Sequence, residues 1–74
     1  MTERTDVRLR DGEEYIKLGQ LLKLCGAVSS GVEAKMVILN GEIRVNGEEE
    51  TRRGKKLYDG DIVDYGDYHL RVVK

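Results

Sequence analysis

One continuous stretch, residues 17–47, constrains the fold of this chain more than any other. Its first part places leucines and a cysteine at intervals of three and four residues, and a glycine follows them. Its second part repeats the helical spacing and again ends before a glycine. Apolar and polar residues then alternate over three positions and lead to an Asn-Gly pair. Helix faces recur every 3.6 residues and strand faces every two, so the stretch predicts two short helices and a tight hairpin.

The first predicted helix carries an apolar face made by four residues, and a glycine is expected to end it. Gly26 suits that position because glycine adopts the left-handed conformation of helix C-termini without a steric penalty. The four residues of the face are Leu18, Leu21, Leu22 and Cys25.

The second predicted helix begins at Ser30. Glu33 stands three residues on, and this spacing is that of a capping box, in which the two side chains satisfy free backbone N–H groups reciprocally. Asn40-Gly41 is expected to close the helix. Its buried side is assigned to Ala34, Met36, Val37 and Ile38.

A hairpin is predicted directly after this helix. Ile43 and Val45 alternate with Arg44, which indicates a strand with one buried face. Asn46-Gly47 then predicts a type I′ turn, because both central residues of that turn need a positive φ.

Short strands are predicted on both sides of the helical unit. Val7 and Leu9 face inward on a first strand, and residues 61–65 and 68–73 form two strands joined by Gly66-Asp67. We expect a flexible N-terminus over residues 1–5 and a single domain over 6–74. The expected fold class is α+β, with two short helices packed on one side of a small, mostly antiparallel sheet.

Composition argues against an enzyme. The chain has 74 residues and a single cysteine, so it offers neither room for a deep cleft of its own nor a cysteine-rich metal site. His69 is the sole histidine and is predicted on the surface of an edge strand, without a serine or cysteine at motif spacing. Cys25 is assigned to the core. We therefore expect no catalysis, no cofactor and no metal.

The chain lacks an apolar run long enough to cross a membrane, and its first residues are polar. A monomeric, cytoplasmic protein without membrane contact is the expectation. The net charge is −1, but its distribution is uneven. Residues 17–56 carry eight lysines and arginines against five acidic residues, whereas both flanking segments have a net negative charge. The positive segment coincides with the helical unit.

The positive charges of this segment are the candidate site. A phosphate is expected near Ser30 and Gly31, because a helix N-terminus presents free N–H groups and glycine does not shield them. Two alternatives stay open: Lys17 pairs with Glu13 or Glu14, and the glutamates at 48 to 50 neutralise the basic residues that follow them. The candidate residues are Lys17, Lys23, Ser30, Gly31, Lys35, Arg44, Asn46, Arg52, Arg53, Lys55 and Lys56.

Taken together, this pattern resembles the ribosomal-protein S4-type RNA-binding domain, also called the alpha-L motif. The resemblance covers nearly the whole chain, and a later Gly60-Asp61 matches the family's Gly-Asp before a final hairpin. It is carried by Lys17-Leu18, Leu22, Gly26, Ser30, Ala34, Val37-Ile38, Gly41 and Val45-Asn46-Gly47.

Two positions depart from the broad family. Many members have an acidic residue where this chain has Gly19, and an arginine where it has Gly31. The sequences around these two glycines, and the Arg-Arg-Gly-Lys-Lys sequence at 52–56, resemble those of a small bacterial subset of the family, the stand-alone proteins of the YbcJ and YaaA type. The resemblance implies that the basic residues at 52–56 replace the missing arginine, and that the partner is structured RNA, ribosomal or transfer RNA, in connection with the ribosome.

The favoured function is therefore non-enzymatic binding of structured RNA by phosphate and shape, with Tyr15 and Tyr58 as the exceptions to a general lack of stacking aromatics. The main alternative is an adaptor that docks on a ribosomal protein or an RNA-modifying enzyme. A subunit of a divided enzyme and a DNA ligand also stay open.

Overall fold

The computed structural model describes residues 3–74, and two helices and seven strands lie within that range. In chain order they are β1 (Glu3–Arg8), β2 (Ile16–Lys17), α1 (Leu18–Leu24), α2 (Gly31–Leu39), β3 (Ile43–Val45), β4 (Glu48–Glu49), β5 (Lys56–Leu57), β6 (Ile62–Tyr65) and β7 (Tyr68–Val73).

Five strands form the main sheet, in the order β1-β7-β6-β3-β4. The neighbouring pairs are antiparallel except for β1 and β7, which run parallel, with Val7 opposite Val72. The strands β2 and β5 form a separate antiparallel ribbon of two strands. Because β2 directly precedes α1, this pairing holds the segment after β4 close to the start of α1. The α+β class with a mostly antiparallel sheet is thus confirmed.

The first strand begins and ends earlier than the predicted strand over residues 6–10, so Leu9 lies just beyond it, although its side chain is buried as expected. It begins at Glu3 and pairs with β7 along its whole length, so residues 3–5 belong to the sheet. Residues 1 and 2, the rest of the predicted flexible N-terminus, lie outside the described residues. The sequence of this segment is polar and lacks alternation. Its strand conformation comes from backbone pairing with β7, because Arg4 and Thr5 have exposed side chains that add nothing to the core.

The core between the sheet and the helices is aliphatic. Leu18, Leu21 and Leu22 are buried as predicted, and Cys25 packs partly buried against them. Met36 was assigned to the core, and that prediction is wrong: its side chain is 59% exposed. The residues that α2 buries are Ala34, Val37 and Ile38, and position 36 lies roughly 200° around the helix from position 34.

Local signals in the sequence specify the turns correctly. The Ser30 hydroxyl accepts a hydrogen bond from the Glu33 N–H at 3.2 Å, and the Glu33 carboxylate accepts one from the Ser29 N–H at 3.0 Å. Asn46 and Gly47 have φ values of 53° and 86°, as the type I′ turn requires. Neither helix of the described residues is long and apolar enough to cross a membrane.

Candidate nucleic-acid interface

A groove of about 330 Å³ lies where α1, the start of α2 and residues 52–56 meet. We call residues 52–56 the basic loop. Positive side chains from three parts of the chain line this groove: one at the start of α1, one within α1 and one from the basic loop. The lining residues are Lys17, Gly19, Gln20, Lys23, Gly31, Ala34, Arg53 and Gly54.

Backbone hydrogen bonds hold the basic loop against the start of α1. The Leu18 N–H donates to the Lys55 carbonyl at 2.9 Å, and the Gly19 N–H donates to the Arg53 carbonyl at 3.1 Å. The first N–H groups of a helix have no partner within the helix, so the loop carbonyls satisfy them here. The start of α1 therefore fixes the loop, and it is not itself free to bind an anion.

Glycine at position 19 leaves room for an arginine of the basic loop. A Cβ atom at position 19 would lie 2.7 Å from Cγ of Arg53, which is closer than any ordinary contact. The aliphatic part of Arg53 thus crosses α1 over Gly19. Because Gly31 lines the same groove, Arg53 of the basic loop and Gly31 of α2 border one cavity.

The start of α2 closes the other side of the groove. A Cβ added to Gly31 would meet nothing within 4 Å, so there is open space on the side of the backbone where a side chain would stand. Within residues 3–74, no protein group accepts a hydrogen bond from the Gly31 or Val32 N–H. Glu33 places a carboxylate in the same turn, and its charge opposes the attraction of an anion.

Glu50 forms a direct ion pair with one arginine of the basic loop, Arg52. Its carboxylate receives two hydrogen bonds from the Arg52 guanidinium, at 2.9 and 3.1 Å, and one from the Arg52 N–H at 3.0 Å. These bonds favour the charged form and lower the pKa of Glu50 from its ordinary 4.5 to about 2. The predicted neutralisation by the glutamates at 48 to 50 therefore takes the form of one direct ion pair, with Arg52, and a weaker attraction between Glu50 and Lys55. Glu48 and Glu49 form no ion pair within the described residues.

The cations of the groove stay uncompensated. Among residues 3–74, no carboxylate lies within 4.0 Å of Lys17, Lys23 or Arg53. The alternative pairing of Lys17 with Glu13 or Glu14 is therefore absent from the structure.

The other predicted cations lie at different distances from the groove. Lys56 is opposite Lys17 in the β2–β5 ribbon, and the Lys55 carbonyl anchors the loop. Lys35 is one helical turn beyond Gly31, so both face the same side of α2. Arg44 does not line the groove: it lies on the exposed face of β3, between Glu49 and Asp64 of the neighbouring strands.

Two predicted polar contacts have structural tasks. The Ser30 hydroxyl caps α2, as described above. The Asn46 amide donates to the Asp61 carboxylate at 3.1 Å and accepts from the Ile62 N–H at 2.9 Å, which ties the hairpin to β6.

The sequence interpretation missed Gln20 and a second groove. Gln20 and Lys23 line the groove described above and also an adjacent one of about 360 Å³, to which Arg8 and Arg10 contribute. Gln20 lies three residues from both Lys17 and Lys23, and residues at this spacing lie on the same face of a helix, so the spacing could have identified Gln20 as part of the site. Arg8 and Arg10 gave no such signal, because they belong to a segment with a net negative charge.

His69 lies elsewhere and makes a local contact. It is half-buried on β7, an interior strand, so its prediction as an edge-strand residue is wrong. Its Nδ1 is hydrogen-bonded to the Asp64 carboxylate of β6. Within residues 3–74, no cluster of three His, Cys, Asp or Glu side chains is placed to hold a metal ion.

Comparisons with known proteins agree with this architecture. The S4 domain family matches residues 7–73. The "Probable ribosome maturation protein RlbA" of Bacillus subtilis (strain 168) is 49% identical over 51 residues, which are 69% of this chain and 72% of that protein. YbcJ of Escherichia coli (strain K12) is 37% identical over 59 residues, 80% of this chain and 84% of its own length.

The solution structure of E. coli YbcJ superimposes with a TM-score of 0.72 and 32% sequence identity. The match covers 100% of this chain and 92% of that one. That structure is described as revealing an alpha-L motif involved in RNA binding.

Proposed function

Because this chain belongs to the S4 domain family, we propose that it is a non-enzymatic protein that binds structured RNA through phosphate contacts in the groove between α1, α2 and the basic loop. The description of YbcJ supports RNA as the ligand. The name of the Bacillus relative favours ribosomal RNA over transfer RNA and suggests a task connected with the ribosome.

One observation carries the proposal: Lys17, Lys23 and Arg53 converge on a single groove without a carboxylate within 4.0 Å among the described residues. Like charges brought together raise the energy of the fold, and a bound anion removes that cost. A phosphate backbone supplies anions at regular spacing. The groove has no deep base-reading pocket, so recognition by shape and phosphate is the mode that it supports.

A second phosphate position is proposed at the start of α2. The free N–H groups of Gly31 and Val32 and the positive end of the helix attract an anion, and Lys35 lies one turn further along the same face. Replacing Gly31 by Asp places a negative charge at this position. We expect a Gly31→Asp variant to fold and to lose RNA affinity; a folded variant with the parent's affinity would exclude this contact.

The test of the main site compares two variants of equal net charge. In the first, Lys17, Lys23 and Arg53 are replaced by Gln. In the matched control, three cations that do not line the groove are replaced by Gln: Arg4, Arg71 and Lys74.

Binding is measured by fluorescence anisotropy with a labelled ribosomal RNA stem-loop. Each exposed ion pair contributes up to about 1 kcal/mol, so the groove variant should bind roughly 10- to 100-fold more weakly. The control variant should bind nearly as tightly as the parent. An equal loss in both variants would mean that net charge, not the groove, determines binding.

A protein-docking function is the second candidate, and one observation favours it. Val32, Met36 and Leu39 follow one another at intervals of four and three residues on α2, and their side chains are 70%, 59% and 60% exposed. Such an apolar stripe is typical of a protein contact. A pull-down from nuclease-treated lysate separates the two functions: a partner retained without RNA supports docking, and loss of all partners supports RNA binding.

A further inference from the structure

We propose that the outer face of the β2–β5 ribbon stacks an unpaired RNA base on the ring of Tyr58, beside the phosphate-binding groove. This inference rests on the proposed RNA-binding function and names a feature that the RNA must have. Three of the residues that it concerns, Tyr15, Lys56 and Tyr58, line neither of the two grooves.

The side chains of the β2–β5 ribbon lie on two faces, one toward the core and one toward solvent. Ile16 and Leu57 are paired across it, and Leu57 is fully buried while Ile16 packs partly buried against the core. Successive side chains of a strand point to opposite faces, so the residues flanking this pair face outward. Lys17 and Lys56 are paired across the ribbon on one side of it. On its other side, directly beyond the two strands, the rings of Tyr15 and Tyr58 are neighbours.

The two tyrosines form an ordered aromatic surface. Their ring centroids are 5.9 Å apart with an angle of 52° between the planes, and the Lys56 ammonium lies 4.9 Å from the centre of the Tyr15 ring. Tyr15 is half-buried and has this cation over its ring, whereas Tyr58 is 48% exposed. The Tyr58 N–H donates to the Asp61 carboxylate at 2.7 Å, which fixes the backbone below the ring. Tyr58 is therefore held in place with ring surface available to a ligand.

The position of this surface connects it to the groove. Lys17 lines the groove and lies opposite Lys56, so a strand of RNA that leaves the groove at Lys17 passes next to the tyrosines. Two lysines directly opposite each other repel, and a phosphate between them would relieve that repulsion. A base attached to that phosphate would reach the Tyr58 ring.

A second tyrosine pair provides the comparison. Tyr65 and Tyr68 stack with centroids 6.2 Å apart and a 10° angle, and Tyr68 is 42% exposed. No lysine or arginine in the described part of the chain lies over either ring, and Asp64 and Asp67 are their sequence neighbours. Exposure is thus similar at Tyr58 and Tyr68, and aspartates neighbour both residues, Asp59 and Asp61 in the case of Tyr58. The difference is the Lys56 ammonium, which lies over the ring of Tyr15, the aromatic neighbour of Tyr58.

The chemistry defines the ligand. Every base has a π-face, so stacking on tyrosine tolerates any sequence but needs a base that is not already stacked within a duplex. The expected ligand is a double-stranded RNA segment that continues into an unpaired nucleotide. The duplex would lie along the groove and the unpaired base on Tyr58.

The experiment uses the full chain and two RNA probes: a short blunt duplex, and the same duplex with a few unpaired adenosines at one end. The parent should bind the extended probe at least about fivefold more tightly, as expected for one stacked base. Tyr58→Leu should abolish this preference and leave affinity for the blunt duplex unchanged. Tyr58→Phe should retain the preference because it keeps the ring, and Tyr68→Leu, the matched control, should retain it as well.

A direct readout does not depend on loss of affinity. The chain has no tryptophan, so Tyr58→Trp introduces a single indole as a reporter of stacking. Its emission should be quenched by the extended probe and not by the blunt one. Equal quenching by both probes, or a parent that binds both equally, would overturn the stacking inference while leaving the groove intact. A parent that binds neither probe would refute the proposed function, and the inference with it.

Discussion

Replacing Glu50 by Gln is expected to destabilise the domain at neutral pH and to remove part of its sensitivity to acid. The Glu50 side chain is 11% exposed and accepts hydrogen bonds from Thr51 and Arg52, two of them from the guanidinium. A glutamine retains one acceptor oxygen but loses the charge and the bidentate pairing with Arg52.

The size of the effect follows from the pKa. A fall from 4.5 to about 2 corresponds to about 3 kcal/mol of preference for the charged carboxylate in the folded state. Because the Arg52 side chain is 71% exposed, water screens the pair, and about 1–2 kcal/mol is the realistic contribution. A domain of this size has a total stability of roughly 3–5 kcal/mol, so the loss would be a large fraction of it.

The direction of the pH dependence follows from the lowering of the Glu50 pKa on folding. The carboxylate pKa is lower in the folded state than in the unfolded state, so its contribution is complete above pH 4.5 and is lost as the pH falls towards 2. The parent should therefore lose stability across this interval, and Glu50→Gln should show a flatter profile with a lower value at pH 7.

Urea unfolding followed by circular dichroism at a series of pH values measures both effects. Glu48→Gln is the matched control: Glu48 is an exposed residue of β4 that forms no ion pair within the described residues. If Glu50→Gln and the parent had the same stability at pH 7 and the same profile down to pH 2, the assigned role of the Glu50–Arg52 pair would be wrong.

Three further substitutions test separate parts of the structure. Gly19→Ala should displace Arg53, because the new Cβ would lie 2.7 Å from its Cγ, and RNA affinity measured by anisotropy should fall severalfold; unchanged affinity would contradict the tight crossing. Asn46→Gly keeps the positive φ but loses both amide hydrogen bonds, so urea unfolding should show a loss of about 1–2 kcal/mol, whereas a fully stable variant would deny the anchor to β6. Glu33→Gln removes the carboxylate from the first turn of α2 and should raise RNA affinity about two- to fivefold in the same assay; a decrease would argue against an anion at that turn.

The features that the sequence predicted correctly are local. The capped start of α2 needs Ser30 and Glu33 three residues apart, and the hairpin turn needs Asn46-Gly47, so both are specified within a few residues. The two helices followed by the hairpin could therefore be predicted from spacing alone. The prediction for Met36 is wrong because an apolar residue between buried neighbours suggests burial, whereas its angle around the helix turns the side chain to solvent.

The features that the sequence could not predict depend on distant backbone contacts. The residue types at positions 3–5 do not indicate a strand, so the parallel pairing of this segment with β7 could not be predicted. The docking of the basic loop on α1 relies on the carbonyl groups of Arg53 and Lys55, and backbone groups carry no sequence signature. For the same reason, the grouping of Lys17, Lys23 and Arg53 in one groove was expected only in outline, and the separation of Arg44 from it was not expected at all.

The most direct test of the central claim is the salt dependence of RNA binding. The logarithm of the association constant falls linearly with the logarithm of salt concentration, by roughly 0.7–0.9 per phosphate contact. Replacing Lys17, Lys23 and Arg53 by Gln should reduce that slope by about two to three, while the matched replacement of Arg4, Arg71 and Lys74 should leave it nearly unchanged. Identical slopes for the parent and the groove variant would show that these three side chains do not contact phosphate.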